Sequence, residues 1–176
     1  MSVEALDTGQ VENETEELRK KREAVVAASA PASKFKIRTQ LLKEGRTTDL
    51  VSSTDNMRVH IKVYASGGEN GLHNHTDEDH FHLVLQGSAL FYGPRGEELE
   101  CGPWEGIMLP AGSFYRFNAT SEEPLVLLRV GARAAQEKSE HDRLNIYGEP
   151  LPTHAPGNGP PVKVVPREGE FFGAAE

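Results

Sequence analysis

From Phe35 to Ala132 the chain is cut into short β-type runs by closely spaced turn signals, and this constrains its fold more than any other feature. Arg58-Val59-His60-Ile61-Lys62-Val63-Tyr64 alternates polar and apolar residues, the period of a half-buried strand. Phe81 to Leu85, Ala89 to Tyr92, Gly106 to Leu109, Ser113 to Phe117 and Leu125 to Val130 follow as further strands. Between them stand Ser66-Gly67-Gly68, Gly87-Ser88, Gly93-Pro94-Arg95-Gly96, Cys101-Gly102-Pro103 and Pro110-Ala111-Gly112, all rich in turn formers. Many short strands with no long helix between them predict an all-β sandwich or barrel. The chain shows no internal repeat, so one barrel is expected and not a tandem pair.

The flanks read differently. Met1 to Thr15 is polar and aperiodic, which predicts disorder. Glu16 to Ala30 is rich in helix formers, with acids leading and bases following, as the helix dipole favours. Asn13 is the expected cap, with Glu16 reaching back to it, and Pro31 the stop. Such a charged helix is expected to be a solvated face without chemistry. Ala134 to Arg143 suits one short helix. Glu149 to Glu176 carries six of the eleven prolines and reads as an extended strap or a loose tail. The chain therefore divides into residues 1–33 (polar N-terminus and helix), 34–133 (barrel) and 134–176 (short helix and extended segment).

Charge and composition narrow the function classes. With 19 basic and 27 acidic residues the formal net charge is -8, which argues against nucleic acid or an anionic membrane as the main partner. No apolar run approaches the roughly 20 residues of a spanning helix. The acidic N-terminus lacks the basic-then-apolar pattern of a secretory signal, so a cytoplasmic location is expected. One cysteine, Cys101, excludes an intramolecular disulfide framework and zinc sites built from several cysteines.

Five of the seven histidines (His60, His73, His75, His80, His82) fall within 23 consecutive residues. His73 and His75 are two apart, so on a strand their side chains share a face, and His80 and His82 have the same relation. If the acidic stretch Thr76-Asp77-Glu78-Asp79 is a hairpin turn, the two pairs stand on adjacent strands about 4.8 Å apart. Three imidazoles can then converge on one metal at about 2.1 Å from each nitrogen. No serine or cysteine with a partner base stands out, so the pattern suits a metal better than nucleophilic catalysis.

Gly67-x5-His73-x-His75-x4-His80-x6-Gly87 resembles the first motif of the cupin superfamily, G-x5-H-x-H-x3-4-E-x6-G. Pro110-Ala111-Gly112-Ser113-Phe114-Tyr115-x2-Asn118 resembles the second, G-x5-P-x-G-x2-H-x3-N. The resemblance covers about Phe35 to Ala132. It implies a single small jelly-roll-type β-barrel with a metal near its centre, often in a homodimer. The chain departs from the pattern in four places. His80 stands where the family has its glutamate, Tyr115 where it has its last histidine, Asn118 is displaced by one, and Trp104 replaces the leading glycine of the second motif. Moving the third ligand to Asp79 would spoil the x6-Gly interval and turn the side chain to the opposite face. His73, His75 and His80 are therefore the expected metal ligands, in preference to Asp79 or Glu78.

Three neutral imidazoles leave a divalent cation its full charge, which favours an anionic chelating substrate such as an enolate, catecholate or carboxylate. Imidazole suits iron, copper, nickel and zinc. Three-histidine centres of the family resemble those of dioxygenases, commonly with Fe(II). The resemblance thus implies a dioxygenase acting on a small anionic, enolic or phenolic molecule at one divalent transition metal, Fe(II) first, with Mn, Ni, Cu or Zn as alternatives. Other expectations are a non-redox lyase or isomerase and a small-molecule-binding barrel.

Tyr115 and His82 are the candidate catalytic residues. Tyr115 admits three roles: a phenolate ligand, a proton or hydrogen-bond donor to bound substrate, or a wall aromatic. His82 shares the inward face with His80 and is either a substrate contact or a satisfied core histidine. His60 has no assigned face, His141 and His154 are expected at the surface, and Cys101 is expected to be inert. Met108 and Phe117 are expected to line the pocket. Arg129 suits either a surface position or an anchor for a substrate carboxylate.

Overall fold

The computed structural model describes residues 14–133, 140–151 and 163–175. The chain divides into two compact units, Met1–Lys34 and Phe35–Glu176. Among the described residues no helix is long and apolar enough to cross a membrane.

The first unit contains one helix, α1 (Glu16–Ala27), in which no residue is buried. Its cap is Thr15, whose hydroxyl accepts from the Leu18 N–H at 3.3 Å, while Asn13, the expected cap, lies outside the described residues. Exposed i,i+4 pairs, Lys20–Glu16 at 2.9 Å and Lys21–Glu17 at 2.7 Å, run along its surface. The helix stops at Ala27, three residues short of the expected end. The Ser29 hydroxyl and its N–H both bond to the Val26 carbonyl, and Pro31 drives the residue before it out of the helical region.

The second unit is an antiparallel β-barrel of two five-stranded sheets with a two-stranded ribbon. The first sheet has the order β2 (Arg46–Ser53), β3 (Met57–Tyr64), β10 (Leu125–Arg133), β5 (Glu78–Gln86), β8 (Gly106–Leu109). The second runs β11 (Arg143–Asn145), β4 (Gly68–His75), β9 (Tyr115–Ala119), β6 (Ala89–Tyr92), β7 (Glu98–Cys101). The ribbon pairs β1 (Arg38–Glu44) with β12 (Val165–Gly173). The all-β fold with a single jelly-roll-type barrel is as expected.

Two apolar layers hold the unit together. Between the sheets, Tyr64, Val84, Leu125 and Leu127 of the first pack with Phe91, Tyr115 and Phe117 of the second. Phe117 sits edge-on to Tyr64 with ring centroids 5.1 Å apart. On the outer side of the first sheet, Leu41 and Leu42 of β1 and Phe172 of β12 cover Ile61, Val63 and Val126. This explains why β3 is not half-buried as its alternation predicts: Ile61, Lys62, Val63 and Tyr64 are all buried, odd residues under the ribbon and even ones in the barrel.

Three expectations change. The proline-rich segment supplies a strand, with Pro166 opposite Leu42 at a register shift of the two-stranded ribbon, where a missing N–H is tolerated. Of the helix expected over 134–143, residues 134–139 lie outside the described residues, and Arg143 begins strand β11 instead, because the edge of β4 offers it a partner. Finally, β4 and β5 are not a hairpin. They belong to opposite sheets, and the Thr76 N–H and hydroxyl bond to the carbonyls of Asp142 and His141.

Both glycines of the first motif hold left-handed backbone, Gly67 at φ 68° and Gly87 at φ 73°. A Cβ on Gly87 would also come within 3.1 Å of the Leu125 Cα. Trp104, in the place of the missing glycine, holds φ 71° as well, with its N–H on the Val84 carbonyl at 2.7 Å.

Candidate metal centre

The barrel interior gathers every predicted site residue. β4 contributes His73 and His75, β5 contributes His80 and His82, and β9 contributes Tyr115, which faces His73 in register. Ring centroids are 4.1 Å apart for His75–His80, 5.3 Å for His73–His75, 4.7 Å for His73–Tyr115 and 5.4 Å for His82–Tyr115. His73, His80, His82 and Tyr115 are buried. The histidines meet across the interior from opposite sheets, and not along a hairpin.

The donors that converge are two imidazoles and a carboxylate. One atom each from His75, Glu78 and His80 lies within 4.8 Å of the others, a metal-binding arrangement. Glu78 is two residues from His80 and shares its face, so the face argument that rejects Asp79 does not reject Glu78. Asp79 points away and accepts from the Ala111 N–H at 2.7 Å, tying the Pro110-Ala111-Gly112 turn to β5.

Burial keeps the two imidazoles of this group uncharged. Burial lowers the His75 pKa far below its ordinary value, helped by the neighbouring His80 and Arg129. Burial likewise lowers that of His80, against the raising effect of Glu78. Both rings are therefore neutral at pH 7 with a lone pair to offer. The Glu78 carboxyl is held at about 2 by its hydrogen bond to His80, with Arg129 and Arg58 adding to the effect against desolvation.

His80 Nε2 lies 3.2 Å from Glu78 Oε2 and also touches an Arg129 terminal nitrogen. One imidazole nitrogen cannot donate to a carboxylate and accept from a guanidinium together, so Glu78 and Arg129 compete for it. Glu78 in turn pairs with Arg129 at 3.2 Å and with Arg58 at 3.7 Å. His73 is engaged at both nitrogens, Nδ1 on the Gly71 carbonyl at 2.7 Å and Nε2 on the Arg143 guanidinium at 2.8 Å. A carbonyl only accepts and a guanidinium only donates, so the His73 hydrogen sits on Nδ1. Its Nε2 lone pair faces the Arg143 side chain.

The structure also fixes residues whose place the sequence left open, and moves one that it misplaced. Arg129 is inside, because β10 is the central strand of the first sheet and its residues 125, 127 and 129 face the interior. His60 shares the inward face of β3 with Tyr64. Arg143 is buried, and nothing in its polar local sequence signals this. Met108 faces outward beside Phe81 and is 63% exposed, whereas Phe117 does line the interior. Cys101 is buried and burial raises its thiol pKa, which makes it inert as expected. His141 is exposed, and His154 lies outside the described residues.

The family model described as cupin domain matches residues 60–131. No curated protein matches the chain in sequence. Similar solved structures include a cupin superfamily protein from Desulfitobacterium hafniense, at 17% identity and TM-score 0.44 over 51% of this chain and 78% of that one. KdgF from a Halomonas species aligns at 20% identity and TM-score 0.46 over 51% of this chain and 80% of that one. The Schizosaccharomyces pombe Cnp3 cupin domain aligns at 12% identity and TM-score 0.47, over 50% of this chain and 61% of that one. The matched stretch runs from the strand of His60 to Gly131 and contains every donor of the cluster, so the cluster lies within the part of the chain that matches the cupin domain.

Proposed function

We propose that the barrel is a metal-dependent dioxygenase acting on a small anionic, enolic or phenolic organic substrate. The observation that carries this reading is the convergence of His75, Glu78 and His80 within 4.8 Å. Two histidines and one carboxylate with open positions form the donor set of non-haem Fe(II) oxygenases. A bound Fe(II) would supply redox chemistry toward dioxygen and polarise a coordinated substrate oxygen. The protein's own part is to hold the donors together and exclude water with Tyr64, Phe91 and Phe117. Glu78 contributes one negative charge, Arg129 attracts the substrate anion, and His73 braces the donor face with Arg143 behind it.

The test is to purify the protein, identify its metal by elemental analysis, and compare turnover of small enolic and phenolic acids with and without oxygen. Oxygen-dependent turnover with iron supports the reading, and turnover unchanged under anaerobic conditions removes it. A second reading, a non-redox lyase or isomerase, is favoured by Tyr115, a buried phenol at 4.7 Å from His73 and 5.4 Å from His82 that can move a proton. Tyr115→Phe is expected to retain metal while losing about 100-fold or more in turnover if the phenol transfers a proton. Metal loss in that variant would make the tyrosine a ligand instead.

A further inference from the structure

Two buried polar atoms on neighbouring strands have no hydrogen-bond partner among the described residues: Nε of Arg129 and Nδ1 of His60. The two residues are direct cross-strand partners on β10 and β3, with both side chains on the inward face. Arg129 is pinned at its other end, where a terminal nitrogen meets Glu78 and His80. Its Nε–H therefore stays fixed in the interior next to the His60 ring. Leaving a buried donor unsatisfied is costly, and two such atoms on paired residues point to a ligand that completes them.

A surface recess begins near them. Gly131, one step along β10, stands opposite Arg58 and His80, and a Cβ there would come 2.9 Å from Glu78 Oε2 and 3.6 Å from the Arg129 guanidinium. The recess, lined by Asp55, Arg58, Glu78, Gly131 and Arg133, opens at this bare backbone. Two guanidinium groups there stand with two carboxylates, so the recess does not carry a net negative charge, and a side chain at Gly131 would narrow it against Glu78 and Arg129.

We propose that Arg129 and His60 form the seat of a substrate carboxylate, reached over Gly131 and placed one residue step from the metal cluster. The assignment rests on the catalytic reading above for its use, though not for the binding itself. Two donors on paired residues, Nε–H of the arginine and Nδ1–H of the histidine tautomer that carries its hydrogen there, match the two oxygens of a carboxylate. A phosphate has more oxygens than these two atoms satisfy, and a neutral amide does not draw on the guanidinium charge.

The test uses full-length protein freed of metal by chelator, so that coordination plays no part. Acetate and benzoate are compared with acetamide, benzamide and inorganic phosphate by thermal shift and by the ring 15N resonances of His60. The carboxylates are expected to raise Tm and shift the His60 Nδ1 resonance, and the amides to do neither. Arg129→Gln and His60→Phe are each expected to weaken carboxylate binding by about tenfold or more. His60→Phe keeps the ring shape and leaves the Glu78 pair intact, so it serves if Arg129→Gln fails to fold. Gly131→Val is expected to block binding of benzoate more than that of acetate. Equal binding of amides, tighter binding of phosphate than acetate, or unchanged affinity in His60→Phe would overturn the proposal. Carboxylate binding as expected in a protein that turns nothing over with metal would leave the seat standing and remove only the catalytic reading.

Discussion

Glu78 and His73 flank the same pair of imidazoles but hold different commitments. Glu78 brings an ionised oxygen to the donor group, whereas the Nε2 lone pair of His73 faces Arg143. Glu78→Gln and His75→Ala are therefore expected to lower metal affinity by about tenfold or more, a loss typical of altered ligand shells. His73→Ala should cost less, and elemental analysis of the three variants after dialysis orders them. Equal loss in His73→Ala would bring His73 into the ligand set and return the centre to three imidazoles. Trp104 gives a second residue-level test. Its left-handed backbone costs about 1–2 kcal/mol, and its ring is 74% exposed, so little packing is lost on removal. Against the extra chain entropy of about 0.5–1 kcal/mol that glycine brings, Trp104→Gly should leave stability unchanged or raise it slightly in urea titration. A loss above about 1 kcal/mol would mean that the indole holds a contact of its own.

Among the elements, the β1–β12 ribbon does the most that its sequence hides. Leu42 is 1% exposed beneath it, and Leu42→Ala is expected to cost about 2–5 kcal/mol in equilibrium unfolding. Strands β6 and β8 could be read from the chain residue for residue, because apolar runs bounded by glycine and proline turns have little choice. The ribbon could not, since its strands pair across more than 120 residues and Arg38-Thr39-Gln40 carries no clean alternation. The same holds for β11, whose three residues form a strand only because β4 lies beside them. At the site, the period of two on β4 and β5 was enough to put His73, His75, His80 and His82 inside. What it could not tell was that the strands lie in opposite sheets, which brings in Arg129 from β10 and Arg143 from β11.

For the whole molecule, the sign of the interior differs from that of the surface. A chain with net charge -8 directs Arg129, Arg143 and Lys62 toward a barrel that also holds five histidine rings. A cation bound at the donor group links to folding, because the unfolded chain does not preserve the cluster. At a hundred times its dissociation constant, a binding metal is expected to add about 2.7 kcal/mol of stability, and a chelator to remove it. Differential scanning calorimetry with Fe(II), Mn(II) or Zn(II) under anaerobic conditions checks this, and a Tm indifferent to all three would deny the barrel a metal.

The ribbon also brings the two ends of the second unit together. Arg38 faces Gly173 in register, and the Ala174 N–H bonds to the Ile37 carbonyl at 2.8 Å. A few glycines and serines joining those ends, with new termini cut at the exposed Gly93–Gly96 hairpin, would give a circular permutant with every strand and donor in its present place.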